Sequence, residues 1–64
     1  QIENCLGLAE KYVDRLNNTK TAQNLPPMQP YYRRIVHMHI AENYPDIQTE
    51  SHGRGENRHI VIKI

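Results

Sequence analysis

This 64-residue chain contains neither tryptophan nor phenylalanine, and it has a single cysteine, Cys5. Its hydrophobic fraction is 38 %, so Ile, Leu, Val and Tyr must fill one small core, near the lower size limit for a domain that folds unaided. A lone cysteine excludes an internal disulfide, and without a Cys-x-x-Cys pair there is no cysteine-based zinc site. We therefore expect a reducing, cytoplasmic setting.

Long apolar runs and an excess of one charge are also missing. No run approaches the length of about 20 residues that spans a membrane, and no signal-peptide pattern is present. The formal net charge is only +1, so nucleic-acid binding would depend on how the basic residues cluster. The chain starts at Gln1, without Met and already in a helical pattern. We therefore expect residues 1–64 to be a single domain of a longer protein.

Two segments carry the apolar spacing of an amphipathic helix. In the first, steps of three and four residues form one stripe: Ile2, Cys5, Leu6, Ala9, Tyr12, Val13 and Leu16. The charged residues of this segment, including Glu10, face away from the stripe. The second helix is predicted from Pro30 to Asn43, because proline fits the first turn of a helix and Pro45 forces an end near Tyr44. In this helix, Arg34 is predicted to point away from the core.

The strand signals are strongest at the end of the chain. Residues 59–64 alternate cleanly, with Ile60, Ile62 and Ile64 on one face and His59, Val61 and Lys63 on the other. Residues 47–52 alternate as well, and the glycines of residues 53–57 supply a hairpin turn. Residues 20–25 are only weakly β-like. The order α-β-α-β-β predicts an α+β fold in which both helices cover the apolar face of a small sheet.

The predicted positions of the basic residues indicate a candidate binding surface for phosphate. Arg33 and His37 lie one helical turn apart at the edge of an apolar stripe, with their polar ends free. Arg54 stands between two glycines of the hairpin, whose backbone N–H groups can approach a phosphate closely, and Ser51 can add a hydroxyl. Arg58 opens the last strand and Lys63 lies near its end. A solvated helix flank and an ordinary hairpin turn would explain the same residues, and spacing alone favours these plainer interpretations.

Metal and catalytic sites find little support. His37 and His39 are one residue apart, and a helix separates such positions by about 200°, so they cannot chelate one ion together. No carboxylate or cysteine stands at useful spacing, and we expect no metal and no cofactor. Ser51 could pair with His37 or His52 as nucleophile and base, but the sequence contains no Gly-x-Ser-x-Gly motif for a strained nucleophile turn. A domain this small also has little room for a buried cleft. We therefore expect no catalysis.

Taken together, these residues resemble the R-3-H domain, which is named for its Arg-x-x-x-His spacing. The stretch Arg33-Arg34-Ile35-Val36-His37 is followed by Ser51-x-Gly53-x-Gly55-x-x-Arg58 and by the strand to Lys63. The segment before the second helix, Leu25-Pro26-Pro27-Met28, resembles the corresponding segment of the R-3-H domain in the bacterial Jag family of RNA-binding proteins. The resemblance covers nearly the whole chain. Two positions differ, since Tyr32 and His52 stand where Jag-like sequences often carry an acidic residue.

The resemblance implies a three-stranded antiparallel sheet with the helices packed on one face. It also implies binding of single-stranded nucleic acid, with RNA favoured over DNA, in a cytoplasmic bacterial protein. The family's functional positions correspond to Arg33, His37, Ser51, Gly53, Arg58 and Lys63. In Jag proteins the domain follows a KH domain, so a KH domain in the same parent chain is an expected partner.

Two functions remain to be separated. In the first, the domain binds single-stranded RNA or DNA without catalysis, Arg33, Arg58 and Lys63 pair with phosphates, and His37 meets a base. In the second, it is a protein-interaction or structural domain, in which Arg33 and Arg58 form internal ion pairs. An exposed aromatic ring near Arg33, such as Tyr31, favours the first. A glutamate held against Arg58 favours the second.

Overall fold

The computed structural model describes residues 2–64, which form two helices, a three-stranded sheet and a short 3-10 turn. In chain order the elements are α1 (Ile2–Thr19), β1 (Gln23–Asn24), α2 (Pro30–Asn43), β2 (Gln48–His52), the 3-10 turn (Gly55–Asn57) and β3 (His59–Lys63). Strand β3 is central and pairs antiparallel with both β1 and β2. The predicted α+β class and the order α-β-α-β-β are confirmed. The strand order in the sheet, β1-β3-β2, was not predicted from the sequence.

The hydrophobic core lies between the two helices and one face of the sheet. Its buried residues come from α1, α2 and β3, and from the positions directly after β1 (Leu25) and directly before β2 (Ile47). They are Cys5, Ala9, Val13, Leu16, Leu25, Val36, Ile40, Ile47, Ile60 and Ile62. In α1 they recur every three or four residues, as predicted from the apolar stripe. Within residues 2–64, no helix combines the length and the apolarity needed to cross a bilayer.

Helix α2 begins and ends where its flanking prolines predict. Pro30 is its first residue, where a missing N–H costs nothing, and the Gln29 carbonyl accepts the N–H of Arg33 at 3.1 Å. The helix ends at Asn43, two residues before Pro45. These bounds place Arg33 at the end of the first turn of the helix.

The strand register decides which side chains share a face of the sheet. Thr49 and Ser51 stand opposite two buried isoleucines of β3, Ile62 and Ile60, and so lie on the side of the helices. Glu50 stands opposite Val61, on the other side, where Lys63 also lies. We call this second side the open face, because neither α1 nor α2 covers it.

Glu10 of α1 is partly exposed but contacts His39 of α2, although it was predicted to face away from the packed stripe. Its carboxylate lies between the helices, where Oε2 is 2.6 Å from His39 Nε2 and Oε1 accepts a hydrogen bond from the Tyr44 hydroxyl. Those hydrogen bonds, with that of Tyr44 the stronger influence, hold the pKa of Glu10 below its ordinary value. Glu10 therefore links α1 to the C-terminal half of α2.

This link makes stability depend on pH in the acid range. A carboxyl group whose pKa is lower in the folded state than in the unfolded one stabilises the fold above the unfolded value, and this contribution is lost as pH falls through the folded value. Between about pH 5 and 3, we expect the parent to lose stability more steeply than Glu10→Gln, as followed by urea unfolding. Glu42→Gln, at an exposed position on α2, is the control and should follow the parent. Parallel curves for parent and Glu10→Gln would contradict the link.

Gly7 is an exposed glycine inside α1, and no packing contact requires it. A Cβ added there would meet no atom within 4 Å. Since glycine loses more backbone freedom on folding than alanine, we expect Gly7→Ala to raise the free energy of unfolding by about 0.5–1 kcal/mol. Urea unfolding checks this, and an unchanged or lower midpoint would contradict it.

Candidate functional site

A depression of about 280 Å³ opens between α2 and the edge strand β2. We call it the α2–β2 depression, and its lining residues are Arg33, Arg34, His37, Thr49, Glu50, Ser51 and Ile60. Helix α2 supplies all three basic residues, because positions three and four apart lie on neighbouring parts of one helical face. The serine and threonine reach the same depression because the register turns them toward the helices.

A second depression, of about 600 Å³, lies between the loop before α2 and the hairpin. We call it the loop depression, and its lining residues are Pro27, Met28, Gln29, Pro30, Arg33, Gly55, Glu56 and Arg58. Arg33 lines both depressions, so they adjoin at its side chain. The structure thus brings Arg33 together with His37 and Ser51 on one side, and with Arg58 on the other.

Arg33 is half-buried and held in place by one hydrogen bond. Its Nη1 donates to the Met28 carbonyl oxygen at 3.0 Å. A guanidinium group has five N–H donors in a fixed plane, so this single tether leaves donors for a ligand. The tether also fixes the side chain before any ligand arrives, which reduces the entropy lost on binding.

His37 is exposed and oriented by β2. Its Nδ1 is hydrogen-bonded to the Thr49 hydroxyl oxygen, while Nε2 has no partner within residues 2–64. The imidazole therefore presents one nitrogen and its ring face to solvent. Sequence reasoning missed Thr49 as the orienting partner, although its alternation with Glu50 places it on the same face as Ser51.

Arg34 is the second residue that sequence reasoning missed. It was predicted to point away from the core, and it is exposed, yet it also lines the α2–β2 depression. Its spacing of three residues from His37 was the available signal. Neither the Arg34 guanidinium group nor the Ser51 hydroxyl has a side-chain partner among the described residues, so both can meet a ligand.

The hairpin positions Arg58 through a glycine. Gly53 has φ +89°, and its carbonyl oxygen accepts a hydrogen bond from Arg58 Nη1 at 3.1 Å. Gly53 and Arg54 line neither depression, and Arg54 is exposed on the hairpin beside them. Gly53 therefore contributes a backbone conformation and an anchor for Arg58.

Lys63 lies apart from the other predicted site residues. It is on the open face, where its Nζ is 2.7 Å from Glu50 Oε2. His52 Nε2 is 2.9 Å from the other oxygen of the same carboxylate. These two neighbours, with Lys63 the stronger influence, hold the pKa of Glu50 below its ordinary value, so this carboxylate is charged at neutral pH. The structure does not bring Lys63 together with Arg33.

The arginines of the two depressions are not neutralised by internal ion pairs. The ion pairs within residues 2–64 join Glu10 to His39 and Glu50 to His52 and Lys63. Arg58 bonds a backbone carbonyl instead of a glutamate, so the internal pairs of the structural alternative are not formed in the described chain. The Tyr31 ring, one turn before Arg34, is 57 % exposed. No group of three His, Cys, Asp or Glu side chains in residues 2–64 is arranged to hold a metal ion.

Comparison with known proteins gives consistent matches. The family model of the R-3-H domain matches residues 3–63. A protein of Clostridium symbiosum named "RNA-binding protein KhpB" is 35 % identical over 57 residues, which cover 89 % of this chain and 25 % of the relative. A protein of the same name from Bacillus subtilis (strain 168) is 42 % identical over 57 residues, covering 86 % of this chain and 27 % of the relative. The chain spans about a quarter of the length of these relatives. With a match that runs over nearly its whole length, the chain belongs to the R-3-H domain family.

Proposed function

We propose that this domain binds single-stranded nucleic acid, with RNA favoured over DNA, and catalyses no reaction. The main support is that three arginines line the two adjoining depressions: Arg33, Arg34 and Arg58. None of them forms an ion pair with another residue in 2–64. The names of both KhpB relatives describe them as RNA-binding proteins, which supports RNA as the ligand.

Phosphate groups are the ligands that suit these arginines. The planar guanidinium group donates two parallel hydrogen bonds to a phosphate, and the charge adds to each bond. Arg33 stands where the depressions meet, so a backbone that passes from one to the other brings a phosphate against it. The Ser51 hydroxyl offers a further donor in the α2–β2 depression, and Arg54 extends the basic surface along the hairpin.

A single strand fits this surface better than a duplex does. Its backbone bends sharply enough to follow two small depressions, and its unpaired bases are free to stack on side chains. Tyr31 and His37 are exposed rings beside the arginines. The Tyr31 ring is packed edge-on against Tyr32, with 5.3 Å between the ring centres, so it offers a partly ordered stacking surface.

Amide chemical shifts in a titration with a short single-stranded RNA test the proposal. We expect the shifted amides to cluster in residues 31–37, 49–51 and 53–58, whereas the outer face of α1 remains unchanged. The DNA strand of the same sequence should shift the same amides at higher concentration, and the RNA duplex should shift them least. An absence of shifts at these residues would contradict the proposal.

A domain with about three phosphate contacts binds weakly alone, in the micromolar range or above. A second nucleic-acid-binding domain in the same chain would raise the overall affinity through its high effective concentration. We therefore propose that a KH domain in the parent chain binds the same strand. This proposal is supported by the resemblance to the Jag family, as is a cytoplasmic location.

A further inference from the structure

The open face of the sheet holds a cluster that phosphate binding in the two depressions leaves unexplained. Glu50 lines the α2–β2 depression, yet Lys63 and His52 bind its carboxylate on the open face at 2.7 and 2.9 Å. Among the described residues that line this depression, Glu50 is the only carboxylate. It stands on β2, the edge strand that separates the depression from the open face.

A free carboxylate at this edge would oppose phosphate binding. It would add a negative charge beside Arg33 and Arg34, and a like charge at the rim of a site repels the incoming group. For exposed charges several ångströms apart, the loss in affinity is about two- to fivefold. The contacts with Lys63 and His52 counter this effect, since Lys63 neutralises the charge and both residues hold the carboxylate on the open face.

We infer that Lys63 promotes nucleic-acid binding indirectly, by holding and neutralising Glu50 on the open face, so that the α2–β2 depression presents only cations to a phosphate. Lys63 is thus a positioning residue and makes no contact with the nucleic acid. The inference rests on the proposed function. It accounts for a basic residue at the end of β3 that lies on the face opposite Arg33.

A double-mutant cycle tests the inference with labelled single-stranded RNA at low salt. Lys63→Gln should weaken binding by about two- to fivefold, because Glu50 then loses its neutralising cation and is held by His52 alone. In the Glu50→Gln background, Lys63→Gln should reduce RNA affinity no more than Lys11→Gln does. Lys11→Gln is the control, because it removes an equal charge from an exposed position on α1. Equal losses in both backgrounds, beyond the Lys11→Gln control, would overturn the inference and indicate a direct phosphate contact.

A second measurement checks the cluster without RNA. In the free domain, Lys63→Gln should raise the pKa of Glu50 toward its ordinary value, as followed by the side-chain carboxyl ¹³C shift, whereas Lys11→Gln should not. An unchanged Glu50 titration would overturn the inference.

Arg33→Gln in the same binding assay separates the two proposals. If it weakens binding while the cycle is additive, only the role of Lys63 fails. If the parent binds no RNA, the proposed function and this inference fail together.

Discussion

Arg33→Gln should weaken the binding of single-stranded RNA by about tenfold or more, the largest loss expected from any single substitution in the two depressions. Hydrogen bonds to charged groups contribute about 1.5–3 kcal/mol, and Arg33 is the residue that lines both depressions. Its tether to Met28 also means that little of this contribution is lost in ordering the side chain. Fluorescence anisotropy of a labelled RNA measures the effect.

Two further variants make this result specific. Arg15→Gln removes the same charge from an exposed position on α1, where the arginine stacks over Tyr12, and should change affinity by less than about twofold. Arg33→Lys keeps the charge but loses the planar pair of donors, so it should fall between the parent and Arg33→Gln. Equal losses for Arg33→Gln and Arg15→Gln would show that Arg33 contributes only net charge.

Gly53→Ala should lower the free energy of unfolding by about 2–3 kcal/mol, the largest stability effect expected in the hairpin. At φ +89° a side chain is strained, and a Cβ would lie 2.8 Å from the Asn57 carbonyl oxygen. That contact is with backbone, which cannot move aside cheaply. Urea unfolding, with the midpoint and slope fitted together, measures the loss.

Gly55→Ala is the matched control for this prediction. Gly55 also has a positive φ, +58°, but a Cβ there would meet nothing within 4 Å. Gly55→Ala should lower the free energy of unfolding by about 1 kcal/mol, the ordinary penalty for a non-glycine residue in a left-handed conformation. Equal losses at the two glycines would contradict the close contact at Gly53. Because the Gly53 carbonyl anchors Arg58, Gly53→Ala should also weaken RNA binding more than Gly55→Ala does.

The elements of this domain could be predicted because their signals are local. Pro30 and Pro45 bracket α2, and the alternation of residues 59–63 marks β3. The strand order β1-β3-β2 could not be derived from those signals, because it depends on which distant segments pair. The partners of Glu10 were missed for the same reason, since a helical period assigns a face but does not identify the helix packed against it.

The arrangement of the candidate site could be predicted from the sequence only in part. The Arg-x-x-x-His spacing gave the shared face of Arg33 and His37, because one helix holds both residues. The hydrogen bond with Thr49 that orients His37 depends on how α2 packs against β2. No local sequence pattern predicts that packing. The position of Lys63 was available from the sequence, since its alternation with Ile62 already assigns it to the face opposite the buried isoleucines.

The salt dependence of RNA affinity tests most directly whether these arginines neutralise phosphates. Three contacts, made by Arg33, Arg34 and Arg58, predict that log K falls with log salt at a slope near −2, from about −0.7 per contact on a single strand. In Arg33→Gln the slope should be shallower by about 0.7. An RNA affinity that does not change with salt, or a slope equal in parent and variant, would contradict the account.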